Sequence, residues 1–271
     1  MSAQWLRSRR PGLMVLPIMI GLSTDLHSSP AQSAPCALPP QHAGVTVPVE
    51  QVGVQWSCRL QPIISNYTTA NKIGPIRTPL PETIYAYLLD HPPMAAALVN
   101  RLDLGLYQAA ARKPDRFWVT DGEGTEGEVE SVYQDRTTRI YYLEGSHNGT
   151  FLPQMTGKAV VLLRMRPVKD PKGTEAVETT VVSYIQLDNA LLSGLLSLLR
   201  PLIGKVVTRQ LMKGFDAANH LSQVMLQHPD RVLFEATDPP ALPDHEVAFL
   251  KQALSTLHEA ASSIPTKTTS P

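Results

Sequence analysis

A serine beside a histidine, an acidic run threaded with glycine, and tyrosines on alternating segments are the groups of this 271-residue chain most able to do chemistry. Ser146 and His147 stand in Glu144-Gly145-Ser146-His147. A nucleophile needs a base within hydrogen-bond reach and a third group to orient it, and neighbours in a loop do not meet that requirement by adjacency. The chain also lacks a G-x-S-x-G elbow, so no catalytic serine is expected. Asp121, Glu123, Glu126 and Glu128 superficially suggest calcium. A calcium loop wants glycine at its sixth position and an acid at its twelfth, and here those positions hold Glu126 and Val132. The run therefore reads as a solvated hairpin turn. The histidines at 27, 42, 91, 147, 220, 228, 245 and 258 form no H-E-x-x-H and meet no paired cysteines, so no metal and no cofactor are expected. An enzyme built on this chain would have to work with isolated acid–base groups, of which Tyr141, Tyr184 and Asp188 are the foremost.

Composition narrows the partners. Hydrophobic residues make up 43 % of the chain and charged residues 18 %, enough to bury a core, which excludes a disordered chain. Lys+Arg and Asp+Glu balance at 24 each, which argues against a nucleic-acid binder that relies on a broad basic surface. Arg7, Arg9 and Arg10 precede the apolar run Pro11–Leu22, and small residues follow at Ser29 and Ala31, the layout of an export signal over residues 1–31 with cleavage near Ala31. The apolar run, broken by Pro17, falls well short of the roughly 20 residues of a spanning helix, so a secreted or periplasmic protein is expected. In such a compartment Cys36 and Cys58 are candidates for one disulfide.

Proline then divides the chain: residues 1–81 hold 11 of the 24, residues 82–228 hold 7, and the remainder 6. Residues 32–80 accordingly read as an irregular arm with one alternating stretch from Val45 to Trp56, and 81–230 as the domain. Helical spacing over Ile84–Leu102, interrupted at His91-Pro92-Pro93, predicts two short helices. From Leu106 the period becomes two, with segments near 106–112, 115–120, 126–134, 137–144, 157–167 and 175–187 and short turns between them, predicting an antiparallel meander of about six strands. A stripe of Ile203, Val207, Leu211, Phe215, Ala218, Leu221 and Met225 predicts a helix of some 25 residues after a break at Arg200-Pro201. Residues 231–271 form a tail with one amphipathic helix, 244–261.

Helices at Ile84–Leu102, turn-rich strands from Tyr107 to Leu187 and the long stripe Ile203–Met225 together resemble, in element order, the START-like helix-grip superfamily. The resemblance implies an α+β fold in which a curved antiparallel sheet wraps a long C-terminal helix and leaves a cavity for an apolar ligand. A bent sheet meets a straight helix along only part of its length, which gives the cavity a physical reason. From the strands, Tyr133, Tyr141, Val161, Leu163, Met165 and Tyr184 are the lining candidates; from the helix side they are Leu195, Leu199, Ile203, Val207, Leu211 and Phe215. The expected function is an exported binder or carrier of a hydrophobic, lipid-like molecule. The alternatives are a cyclase- or hydratase-type enzyme using the same cavity, and an envelope protein with a filled core. The leucine-rich run at 190–203 is expected either to pack on the sheet or to act as a lid in transient contact with a membrane surface.

Overall fold

The computed structural model describes residues 36–43, 45–149, 154–169, 173–188 and 196–262, with backbone only at His42, 196–200 and 260–262. All of these belong to one unit, Pro35–Pro271. The expected signal over 1–31 lies outside the described residues.

Seven antiparallel strands form the main sheet: β3 (Thr69–Thr78), β4 (Gln108–Lys113), β5 (Arg116–Thr120), β6 (Thr125–Gln134), β7 (Thr138–His147), β8 (Met155–Lys169) and β9 (Glu175–Leu187). Their spatial order, β3-β9-β8-β7-β6-β5-β4, is a meander whose last strand pairs with the first. Between β3 and β4 come α2 (Glu82–Asp90) and α3 (Pro92–Arg101); after β9 come α4 (Leu196–Gln227), α5 (Pro229–Thr237) and α6 (Asp244–Ser262). This α+β architecture, an antiparallel sheet with a long C-terminal helix, is consistent with a helix-grip fold.

The region before residue 80 departs from the expected irregular arm. It holds a two-residue hairpin, β1 (Gln41–His42) with β2 (Val45–Thr46), then a 12-residue helix, α1 (Val54–Ser65), and then β3 itself. The boundary at residue 80 therefore cuts through the sheet. Proline punctuation misleads here for local reasons. Pro62 lies inside α1, in its last turn, where it withholds one helical N–H without ending the helix. Pro75 sits at a register shift in β3, an edge strand, where a missing N–H costs little. Gly74 before it has φ +105°, and a Cβ there would run into the Thr179 carbonyl of β9.

The arm covers one face of the sheet. Leu60, Ile63 and Ile64 of α1, with Leu38, Val45, Val47 and Val52, bury Ile140 and Tyr142 of β7, Val160 and Leu162 of β8, and Val182 and Tyr184 of β9. Cys36 and Cys58 are joined in a disulfide that ties the start of the arm to α1. Arg59 lies 3.9 Å above the Tyr142 ring and reaches Glu130 and Glu144, so a charged seam runs along the edge of this layer.

The opposite face meets α4. The helix starts at Leu196, upstream of Pro201 rather than after it, and its 32 residues span about 48 Å. Pro201 lies close enough to the N-terminus that little of the hydrogen-bond ladder precedes it. At one end of this face, Ile73, Leu163, Met165, Val177 and Val181 pack with Ile84, Tyr85, Met94 and Leu98 of α2 and α3, with Phe215, Leu221 and Met225 of α4, and with α5 and α6. At the other end Ile203 packs on Met155 and Leu187. No described helix is long and apolar enough to cross a membrane.

Candidate functional site: the concave face beneath α4

Between the apolar clusters at its ends, contacts on two flanks hold α4 over the sheet. On one flank the helix runs along β3: Gly204 packs against Thr69, Thr208 donates to Asn71 at 3.2 Å, and Thr78 donates to Asn219 at 2.7 Å. On the other flank Lys213 pairs with Glu123 in the turn between β5 and β6. That turn is the acidic run of the sequence, organised by Asp121 accepting from the backbone of Glu123 and Thr125 at 2.8 and 2.9 Å. The sheet thus grips the helix from β3 round to the β5–β6 turn.

Register identifies what looks inward between these flanks. Val129 pairs with Leu143, Leu143 with Ala159, and Ala159 with Ile185, a row across β6, β7, β8 and β9 on the α4 side. Phe117 and Val119 of β5 join the same face through their pairs Val129 and Gly127. These apolar side chains are all only half-buried, as are Val207 and Leu211 opposite them on α4. Beside this row lies another in which Gly127 pairs with Gly145 and Gly145 with Gly157. A Cβ at any of the three would meet a carbonyl oxygen of the neighbouring strand, so the glycines permit a sharp bend and also subtract three side chains from the concave face. The result is a concave apolar wall, only partly covered by neighbouring side chains, that bounds the chamber beneath α4.

One end of the chamber is polar. In the row Ser131–Tyr141–Val161–Ser183–Asn71, Ser183 is 2 % exposed, and its Oγ and Asn71 Nδ2 are buried without a partner. One row further, Arg139 is 4 % exposed, donates to the Asp135 carbonyl and to Asp90 at 3.2 Å, and keeps a buried, unpartnered Nε–H. Its guanidinium faces the Tyr141 hydroxyl. Burial outweighs that cation and pushes the Tyr141 phenol up to about 12, so the group remains a donor at neutral pH. Tyr85, its pKa raised by burial, shares a 3.1 Å hydrogen bond with Thr179 behind this row.

The sequence-derived candidates divide accordingly. Tyr141, Val161, Val207 and Leu211 line the chamber; Leu163, Met165 and Phe215 lie in the filled core beyond the polar row, and Ile203 closes the other end. Tyr184 faces away, because it pairs with Val160 on the arm side of the sheet, where it is buried beside Tyr67. Tyr133 also faces the arm, because a bulge between Ser131 and Tyr133 reverses its side, and its hydroxyl bonds Gln51 and Asp135. Leu195 lies outside the described residues, and the Leu199 side chain is not described. Of the run at 190–203, Leu202 is exposed and Ile203 buried.

The catalytic groupings considered from the sequence are not brought together among the described residues. Asp188 is exposed at the end of β9, accepting from Thr156 at 2.7 Å, with Tyr184 on the wrong face and Tyr141 several rows away. Ser146 and His147 lie in β7 rather than a loop, so their side chains point to opposite faces; His147 Nδ1 meets Thr125 at 2.9 Å instead. Two surface clefts among the described residues, about 420 and 410 Å³, lie at Gln227–Arg231 and between α2 and the β8–β9 turn, neither of them under α4.

No family model matches the chain, and no curated protein does. Among solved structures it is similar to a conserved protein from Geobacillus kaustophilus, at 9 % identity over 57 % of this chain and 95 % of that one with a TM-score of 0.40. It is also similar to Ara h 8.0201, at 13 % identity over 56 % of this chain and 98 % of that one with a TM-score of 0.32.

Proposed function

We propose that this chain is an exported, non-enzymatic carrier of a hydrophobic small molecule of START-like type, held in the concave chamber between the sheet and α4. One observation carries the reading. Phe117, Val119, Val129, Leu143, Ala159, Val161 and Ile185 share the inner face, and all remain half-buried beneath a helix that packs on the sheet at its two ends and is held at its flanks between them. Apolar side chains at the centre of a folded unit are ordinarily covered, and a ligand supplies the missing contacts. Export is supported by the basic, apolar and small-residue pattern of residues 1–31 and by the pairing of Cys36 with Cys58.

The test is direct. The protein is purified after expression with its N-terminal segment, extracted with organic solvent, and the extract examined by mass spectrometry, while the emptied protein is titrated with the neutral apolar fluorophore N-phenyl-1-naphthylamine. A co-purified lipid or saturable probe uptake is expected; an empty extract together with no uptake defeats the carrier reading. Sequencing of the exported protein's N-terminus near Ala31 checks the export part separately.

A further inference from the structure

Charge is distributed unevenly along the C-terminal helices, although cations and anions balance over the chain. From Leu196 to Phe215, α4 holds Arg200, Lys205, Arg209 and Lys213 and no acid. From Asp216 to Ser262 the sign reverses, with seven acidic residues against Arg231 and Lys251. Lys213 is committed to Glu123, but Lys205 and Arg209 are exposed and have no acidic partner among the described residues. The N-terminal part of α4 therefore presents a positive field to solvent, and the following helices do not.

Spacing sets these cations among apolar side chains. Leu202, Lys205, Arg209 and Met212 stand at i, i+3, i+7 and i+10, a single stripe on the side of α4 opposite Ile203, Val207 and Leu211. Leu202 and Met212 are 41 % and 38 % exposed. Off the helix, Leu106 is 62 % exposed and lies against Gly122, next to the Glu123 that Lys213 reaches. One exposed apolar residue needs no explanation. Large apolar groups alternating with unpaired cations along one helix face, however, match a bilayer surface, where the apolar groups enter the acyl boundary and the cations stay at the phosphates. A dissolved polyanion would engage the cations alone.

We infer that this outer face of α4 is a docking surface for an anionic lipid bilayer, with Lys205 and Arg209 at the level of the phosphates and Leu202 and Met212 at the acyl boundary. The inference goes beyond the carrier reading and does not depend on it, because these side chains lie outside the chamber.

The experiment is vesicle flotation of the protein purified after expression with its N-terminal segment. One set of vesicles is phosphatidylcholine alone, and the other is an equimolar mixture of phosphatidylcholine and phosphatidylglycerol. Binding should favour the anionic vesicles. A cation near such a surface contributes about fivefold to partitioning, so Lys205→Gln with Arg209→Gln should weaken anionic-vesicle binding about 25-fold. Arg231→Gln with Lys251→Gln, the same charge change on α5 and α6, should leave it nearly unchanged. Leu202→Ser with Met212→Ser should weaken vesicle binding about tenfold while leaving retention on a dextran sulfate column as it was. All four side chains of the stripe are exposed, so melting temperatures should be preserved. Equal binding to the two kinds of vesicle overturns the assignment, as does indifference to the Lys205 and Arg209 pair or to the Leu202 and Met212 pair. Retention on dextran sulfate with no flotation on either vesicle also overturns it, in favour of a polyanion. No cargo enters any of these readouts, so their failure leaves the carrier reading to its own extraction test.

Discussion

At the scale of single residues, the chamber is defined by what certain side chains lack. Ala159 and the three glycines at 127, 145 and 157 contribute almost no bulk to the concave face, and Ala159 stands between Leu143 and Ile185, neither fully covered. Enlarging a residue in a packed core forces neighbours off their rotamers and costs about 1–3 kcal/mol. Ala159→Phe in an open chamber should instead fold with a melting temperature close to that of the unmodified protein and lose uptake of N-phenyl-1-naphthylamine. A melting temperature lower by several degrees would show that the space is already occupied by the protein's own atoms. The glycine row was open to reading from the sequence, since Gly127 and Gly145 lie almost symmetrically about the turn at Asp135-Arg136. The side of Tyr133 was not, because the bulge at Ser131/Tyr133 breaks the alternation by which a strand's two faces are told apart.

Among the elements, β4 to β9, α2, α3 and most of α4 were legible because their residues repeat at the strand or helix period with turn residues between them. β3 and α1 were not, because their prolines read as breakers, whereas Pro75 lies at an edge bulge and Pro62 is carried inside the last turn of α1 at the loss of one helical hydrogen bond. The tail helix α6 carries a titrating group that sequence periodicity does not reveal. Glu246, in its first turn, is 7 % exposed, and its neighbours include His245 on the same helix, His91 after α2 and Tyr87, which stacks between His91 and Phe249. Burial raises the Glu246 carboxyl above its ordinary 4.5, and His245 and His91 offset only part of the effect. A raised folded-state pKa means that the folded protein holds this proton more tightly than the unfolded chain. The resulting stabilisation is complete below the unfolded value and is lost as pH rises through the folded one. Glu246→Gln, which cannot ionise, should therefore melt at a higher temperature than the unmodified protein at about pH 7, and the two should converge at about pH 4. A Glu246→Gln protein less stable at the higher pH would mean that the carboxylate is favoured where it stands.

For the molecule as a whole, both faces of one sheet are covered, but by different means. The arm side is closed by apolar packing of α1 and a disulfide, and the α4 side is sealed at its ends and only pinned between them. A carrier needs that asymmetry, because one layer must give way for a ligand to pass while the other keeps the sheet's curvature. The weaker pin is the exposed Lys213–Glu123 pair, where the lysine holds the glutamate below its usual carboxylate range. Ion pairs this exposed contribute roughly 0–1 kcal/mol to stability, too little to govern folding. The same amount acting on an opening step alters the rate at which α4 separates from the β5–β6 turn. Lys213→Met should thus leave the melting temperature nearly unchanged and raise both the association and dissociation rates of N-phenyl-1-naphthylamine severalfold in stopped-flow mixing, with a dissociation constant that barely moves. In the unmodified protein, added salt should accelerate exchange in the same way, because screening weakens the pair. If exchange is indifferent to both the substitution and salt, the molecule opens elsewhere, and the β3 flank, where Thr208 and Asn219 bond the sheet, becomes the hinge to test.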